Sequence, residues 1–369
     1  MRFLVAPNAF KGTLDATMAA NEIAHAIQKE YPDSKVEIQP VADGGDGTCA
    51  LLIDSLNLEK ISCLTLDPLG RGIKGEFGFD SSQKTSYLDV STASGIALLK
   101  ESEKDPTITS TFGTGLLIKK AIDLGAKEIF LGLGGSATVD MGTGILAALG
   151  IEFLDEKGRA INPISPGFLS KIKHIQIPPN LPKIKFTLLC DVRNPFLGQN
   201  GAVRVFGPQK GILEKDLDYF EGVCNQVLDL FKAKKKRDWK DKEGFGAAGG
   251  IALGLDFFFP VSIEFGATYF FEMVKMEEKV SDADWIITGE GRYDSQSDQG
   301  KASFELLQLA KRKGKKIALI TSGKDARMAG FDLVFELPDL DFSSKNVKEK
   351  ALENFKRLLR EELSKKLFD

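Results

Sequence analysis

Histidine is almost missing: the chain of 369 residues holds two, His25 and His174. His25 falls in the helical pattern NEIAHAIQKEY, where a partly buried structural role is the plain reading, and His174 has no neighbouring nucleophile. Ser-His-Asp and Cys-His chemistry are set aside, and acid–base work falls to carboxylates and lysines. Cysteine is scarce too. Cys49, Cys63, Cys190 and Cys224 form no C-x-x-C pair and make a poor zinc set with two histidines, so they read as reduced, mostly buried thiols of a cytoplasmic protein. No segment is long and apolar enough to span a bilayer, and MRFLVAPNAF lacks a signal peptide's cleavage pattern and reads as a first strand. Charge of one sign is not in excess either. A formal net charge of −3 gives no general attraction to nucleic acid or membrane, so small-molecule partners are expected. The basic run KAKKKRDWKDK reads as a solvated face without an aromatic platform for bases. Finally, no G-x-x-x-x-G-K-[ST] occurs, which excludes a P-loop.

What the chain does have is a globular composition, 43% hydrophobic and 27% charged, at a length that favours two domains. Strands and helices alternate at both ends, whereas the middle from Cys63 reads as hairpins with turns at Gly70, Gly72 and 80–83. The expected architecture is two α/β domains: a doubly wound, Rossmann-like or flavodoxin-like domain over 1–66 and 283–369, with a second mixed α/β domain, 67–282, inserted into it.

Polar, glycine-rich turns follow one strand after another. IFLGLGGSATVDMGTG, 129–144, reads as a strand and a glycine turn that resume as the apolar helix GILAALG, and its Gly134, Gly135 and Ser136 would suit a phosphate or carboxylate. An ordinary βα turn with tight packing is the competing reading. Lys11 follows the first strand, where ligands of open α/β sheets bind. ADGGDGT, 42–48, packs Asp43 and Asp46 around three glycines, fit to hold Mg²⁺ or orient a hydroxylated substrate; helix capping is the alternative. Arg71 sits between two glycines, as a substrate clamp or a solvated charge. STASG at 91–95 and TSTFGTG at 109–115 add hydroxyls. Asp191 ends a strand as a candidate base or metal ligand. FGPQKG, with Gln209 and Lys210, is a further polar turn, and GFGAAGGIALG, 244–254, suits close backbone approach. The strand of DADWIITGEGRYDSQSDQGK ends in Glu290, Arg292, Asp294, Ser297 and Lys301, a set suited to phosphoryl transfer.

With these stretches in order, the sequence resembles the bacterial glycerate kinases of the glycerate 2-kinase type. The resemblance rests on APNAFKGTL, ADGGDGT, PLGR, TSTFGTG, GLGGSAT, CDVRNP, VFGPQKG, GAAGG and ITGEGRYDSQSDQGK, from Val5 to about Gly323. It implies ATP-dependent, Mg²⁺-assisted phosphorylation of D-glycerate, to 2-phosphoglycerate. It departs from the family after GGSAT, where Asn-Asp-Gly-Gly is usual and Val139, Asp140, Met141 and Gly142 stand here, and at Asp46, where Glu is usual.

On this reading Lys11 and Lys301 supply positive charge to ATP, with Gly134, Gly135, Glu290 and Ser297 completing its site. Arg71, Ser136, Asp43 and Asp140 bind glycerate, and Asp191, or else Asp294, accepts the hydroxyl proton. Mg²⁺ would sit on Asp43, Asp191 and Glu290. A homodimer is left open. Two rivals are carried: a dinucleotide-dependent oxidoreductase acting on a small hydroxy acid, with GLGGSA as its turn and Asp155 ~20 residues on for a ribose, and a non-catalytic binding protein.

Overall fold

The computed structural model describes residues 1–293, 301–322 and 325–363. Its strands are β1 (Arg2–Val5), β2 (Lys35–Ile38), β3 (Glu59–Leu66), β4 (Gly72–Asp80), β5 (Thr85–Asp89), β6 (Glu128–Gly132) and β7 (Glu152–Leu154). They continue as β8 (His174–Gln176), β9 (Lys185–Cys190), β10 (Val261–Phe265), β11 (Trp285–Gly289), β12 (Lys316–Thr321) and β13 (Leu333–Glu336). The chain divides into two compact units, residues 1–43 with 266–369, and residues 44–265.

Both chain ends build the first unit. Its five strands are all parallel, in the order β13-β12-β11-β1-β2. Counted along the unit's own chain this is 2-1-3-4-5, the flavodoxin-like order, and the strand sequence reverses between β1 and β11. Helices on both faces explain why β11 is buried at every residue and reads as an unbroken apolar run. The helix Ala16–Glu30 starts where the Asp15 side chain accepts the Met18 amide at 2.7 Å. It buries Ala16, Ala19, Ala20, Ile23, Ala24 and Ile27, a stripe at helical spacing, and Pro32 lies just past its end.

The second unit carries a six-stranded sheet in the order β10-β9-β6-β5-β4-β3. The pairs β3/β4 and β4/β5 are antiparallel, the hairpin texture expected from Cys63, and β5, β6, β9 and β10 are parallel. A small antiparallel pair, β7 and β8, lies apart from the sheet.

The sequence reading put the boundaries at 66/67 and 282/283; the units meet at 43/44 and 265/266. The reason is pairing. β3 pairs with β4 along its whole length, from Glu59↔Phe79 to Leu66↔Gly72, so residues 59–66 belong to the second sheet. At the other end β10 is the second unit's last strand, and the helices Ala267–Met273 and Met276–Asp282 go with the first. The change of texture at Cys63 marks where strands turn antiparallel, not where the chain changes unit.

Candidate active site

In the first unit the reversal of strand order opens a cavity of about 730 Å³. Asn8 to Leu14 reach it from the end of β1, Glu290 to Tyr293 from β11, Ser322 from β12, Leu337 onward from β13, and Asp43 from beyond β2. In a doubly wound sheet this is where ligands bind.

Glu290 is its most constrained group. It is 5% exposed, Lys301 Nζ donates to its Oε2 at 3.3 Å, and its Oε1 is buried with no hydrogen-bond partner among the described residues. Burial pushes its carboxyl up from the ordinary value, Lys301 opposes the shift, and Asp43 adds to it. Lys301 Nζ also lies 3.5 Å from the Arg292 carbonyl, at the N-cap of the helix Ala302–Arg312. Asp43 accepts from Asn8 Nδ2 at 3.1 Å. Lys11 and Arg292 are exposed cations on the same wall. Thus Lys11, Asp43, Glu290 and Lys301 line one cavity. Asp294 and Ser297 lie outside the described residues.

In the second unit the candidates sit at the C-terminal ends of β5, β6 and β9. The helix expected at GILAALG is present as Thr143–Ala148, but its N-terminus lies well past Gly134 and Gly135, so these glycines do not stand at a helix start. The two glycines pack instead. A Cβ on Gly134 would lie 2.0 Å from the Asp46 amide nitrogen, and one on Gly135 would lie 2.9 Å from the Asp46 carboxylate. The turns GGDG and GLGG therefore interlock backbone to backbone. A dinucleotide turn needs a helix starting at its glycines, so that rival loses its structural context. Asp155 instead closes its own turn through the Lys157 and Arg159 amides, both at 2.9 Å, and through the Arg159 guanidinium.

Asp191 is exposed directly after β9. Beside it Cys190 is buried, its thiol donating to the Val192 carbonyl at 2.9 Å, and burial pushes that thiol up to about 12. Arg71 is tied down: its guanidinium pairs with Asp67 and, at 2.8 Å, with Glu103, and both raise its pKa. Asp140 is a loop organiser. It is 3% exposed, its Oδ2 accepts the Thr111 amide at 2.8 Å and hydroxyl at 2.7 Å, and its Oδ1 accepts the Gly142 amide at 3.1 Å. Burial raises its pKa against these bonds. Among the described residues no three His, Cys, Asp or Glu side chains form a group that could hold a metal ion. Asp43 and Glu290 belong to the first unit and Asp191 to the second.

Two residues escaped the sequence reading as functional candidates. Lys210, in VFGPQKG, is 3% exposed and donates to Ser136 Oγ at 2.7 Å and to the Thr138 carbonyl at 2.8 Å. Burial lowers its pKa to about 7, against the nearby charge of Asp140. Asp89, 5% exposed at the end of β5, accepts the Cys49 and Ala50 amides at 3.1 and 3.0 Å, capping the helix Thr48–Ser55 from outside. Burial pushes its carboxyl up to about 7. A strand-terminal acid could have been flagged; a buried lysine in a polar turn left no signal.

A family model described as the glycerate kinase family matches residues 3–364. A glycerate kinase of Bacillus subtilis (strain 168) is 37% identical over 314 residues, spanning 84% of this chain and 82% of that one. A glycerate 2-kinase of Escherichia coli (strain K12) is 35% identical, spanning 85% of this chain and 82% of that one. The crystal structure of a candidate glycerate kinase 2 from Salmonella typhimurium LT2 superposes with a TM-score of 0.82 at 30% identity, covering 100% of this chain and 98% of that one. With the family model matched along nearly its whole length and with these relatives, the chain belongs to the glycerate kinase family.

Proposed function

We propose that this protein transfers the γ-phosphoryl group of ATP to the C2 hydroxyl of D-glycerate, giving 2-phosphoglycerate and ADP. The observation that carries the reading is the strand-end cavity of the first unit, where Lys11, Arg292 and Lys301 stand with Glu290 and Asp43. Phosphoryl transfer asks for placed charge more than for covalent chemistry. The three cations would hold the polyphosphate and draw off charge as the bond from Pγ to the β,γ-bridging oxygen breaks. The C2 oxygen forms the new bond to Pγ, and its proton passes to a carboxylate. Asp191 is the proposed acceptor.

Mg²⁺ fits the same cavity. Glu290 presents a buried carboxylate oxygen with no hydrogen-bond partner among the described residues, and Asp43 is a second hard oxygen donor on the same wall. When bound there, Mg²⁺ would neutralise phosphate charge. Glycerate is assigned to the second unit's turns, with Ser136 as a hydroxyl contact. Asp140 orders the backbone around that contact. A clamping role for Arg71 would require it to give up Asp67 or Glu103. The reading includes a cytoplasmic location and no nucleic-acid or membrane partner; light scattering decides whether a homodimer forms.

The test is release of ADP from ATP and Mg²⁺ with D-glycerate, followed by NMR of the product. Glycerate-dependent ADP with phosphorus on C2 is expected. No glycerate-dependent turnover would overturn the proposal, and a C3 product would correct its position. An Asp191→Asn variant keeping wild-type kcat would remove Asp191 as the base.

A further inference from the structure

The cavity of the first unit has a second character that the phosphate chemistry leaves unused. Beside the cations its wall carries the apolar side chains of Leu337, Pro338, Leu340 and Phe342 from the chain after β13, with Asp339 exposed among them. Phe342 is 66% exposed. The chain has 26 phenylalanines, and among the described residues this is the one found exposed, so the structure leaves one large aromatic face in water at the mouth of a charged cavity.

The backbone that carries the ring is nonetheless held in place. Asp341 Oδ1 accepts the Ser343 amide at 3.0 Å and hydroxyl at 2.6 Å, and the Ser344 amide donates to the Asp341 carbonyl at 3.1 Å. This turn fixes the backbone on either side of Phe342. A Cβ added to Gly12 would lie 3.6 Å from the ring's Cε1, so the aromatic stands beside the Lys11–Gly12 backbone. An aromatic on a fixed backbone, in one cavity with cations and apolar side chains, matches a ligand that joins a flat heteroaromatic ring to a polyanion.

We infer that Phe342 is the stacking platform for the adenine of the nucleotide, with Leu337, Pro338 and Leu340 as the wall around the base. This rests on the kinase reading and deepens it, by placing the base in the unit built from the chain ends. The parallel strands run side by side ~4.8 Å apart, so the five strand ends span about 19 Å from β13 to β2. That is room for base, ribose and phosphates in a row, with the phosphates over the ends of β11 and β1 where Glu290, Arg292 and Lys11 stand.

Two probes, ADP and inorganic tripolyphosphate, separate base from phosphate when titrated calorimetrically, with Mg²⁺, into the full chain and its variants. Phe342→Ala should weaken ADP about 10- to 100-fold and leave tripolyphosphate unchanged, whereas Phe342→Tyr should keep ADP affinity. Lys11→Met should weaken both probes. Unchanged ADP binding in Phe342→Ala, equal loss of both probes in that variant, or no ADP binding by the wild type would each overturn the inference. These titrations contain no glycerate. If ADP binds through Phe342 and glycerate is not phosphorylated, the substrate reading falls and the adenine site stands.

Discussion

Lys210 and Ser136, 74 positions apart in sequence, meet at 2.7 Å inside the second unit, the ammonium donating to the hydroxyl. The amine ordinarily titrates near 10.5 and is lowered to about 7 by burial. Between those values the unfolded chain holds a proton that the folded chain lacks, so this residue's share of stability rises with pH. Its burial penalty is complete below pH 7 and fades toward pH 10.5. Relative to Lys210→Met, the wild type should gain up to ~1.4 kcal/mol per pH unit between pH 7 and 9 in urea unfolding. A pH-independent difference would mean that Lys210 stays protonated in the fold.

Asp89 gives the opposite slope. Its carboxyl rises from an ordinary 3.8 to about 7, so the folded state holds a proton that the unfolded state has lost across that window. The stability carried by Asp89 is present below pH 4 and is lost as pH climbs to 7. Compared with Asp89→Asn, the wild type should lose ground steadily from pH 4.5 to 7. Parallel curves for the two proteins would rule out the shifted carboxyl.

Met141 stands where the resembling family usually has glycine, and it adopts φ +55°, a left-handed conformation that a side chain disfavours by ~1–2 kcal/mol. It is also 0% exposed, in the core of the second unit. Removing a buried methionine side chain loses ~2–5 kcal/mol of packing, which outweighs the relieved strain. Met141→Gly should therefore destabilise by about 1–3 kcal/mol, although it restores the family's pattern. Thermal melting reads this directly, and a rise in Tm would mean that strain dominates.

The contrast among these residues shows which information is local. Asp15 is a cap because of its place before an apolar stripe, and β1, β11 and β12 are buried because their runs are apolar; both are written within a few residues. GAAGG was legible as a close approach, and a Cβ on Gly249 would indeed sit 2.1 Å from the Thr138 carbonyl. The strand-end rule likewise brought Lys11, Asp43 and Glu290 to one cavity. Gly134 could not be read the same way, because its reason is the Asp46 backbone, nearly ninety positions earlier. Lys210 is the extreme case. Its neighbours spell a polar turn, and only long-range packing turns the ammonium inward, onto Ser136 and Thr138.

Glu290→Gln should separate activity from stability. The carboxyl is buried, one oxygen has no hydrogen-bond partner among the described residues, and Lys301 compensates it through a bond of 3.3 Å. Its pKa is raised, mainly by burial, so the wild type loses stability as pH rises above the ordinary value of 4.5. Glutamine keeps the shape and removes the buried charge, while its amide adds a donor on the side of Lys301. The charge relief outweighs one long, partly exposed ion pair, so at pH 7.5 the variant should melt at the same temperature as the wild type or higher. Its kcat should fall by two orders of magnitude or more, and its Mg²⁺ requirement should shift to higher concentration, because a neutral amide is a poor hard ligand. A variant that is stable but inactive would show that the buried acid is kept for chemistry at a cost to the fold. One that stays active at low Mg²⁺ would take Glu290 out of the machinery.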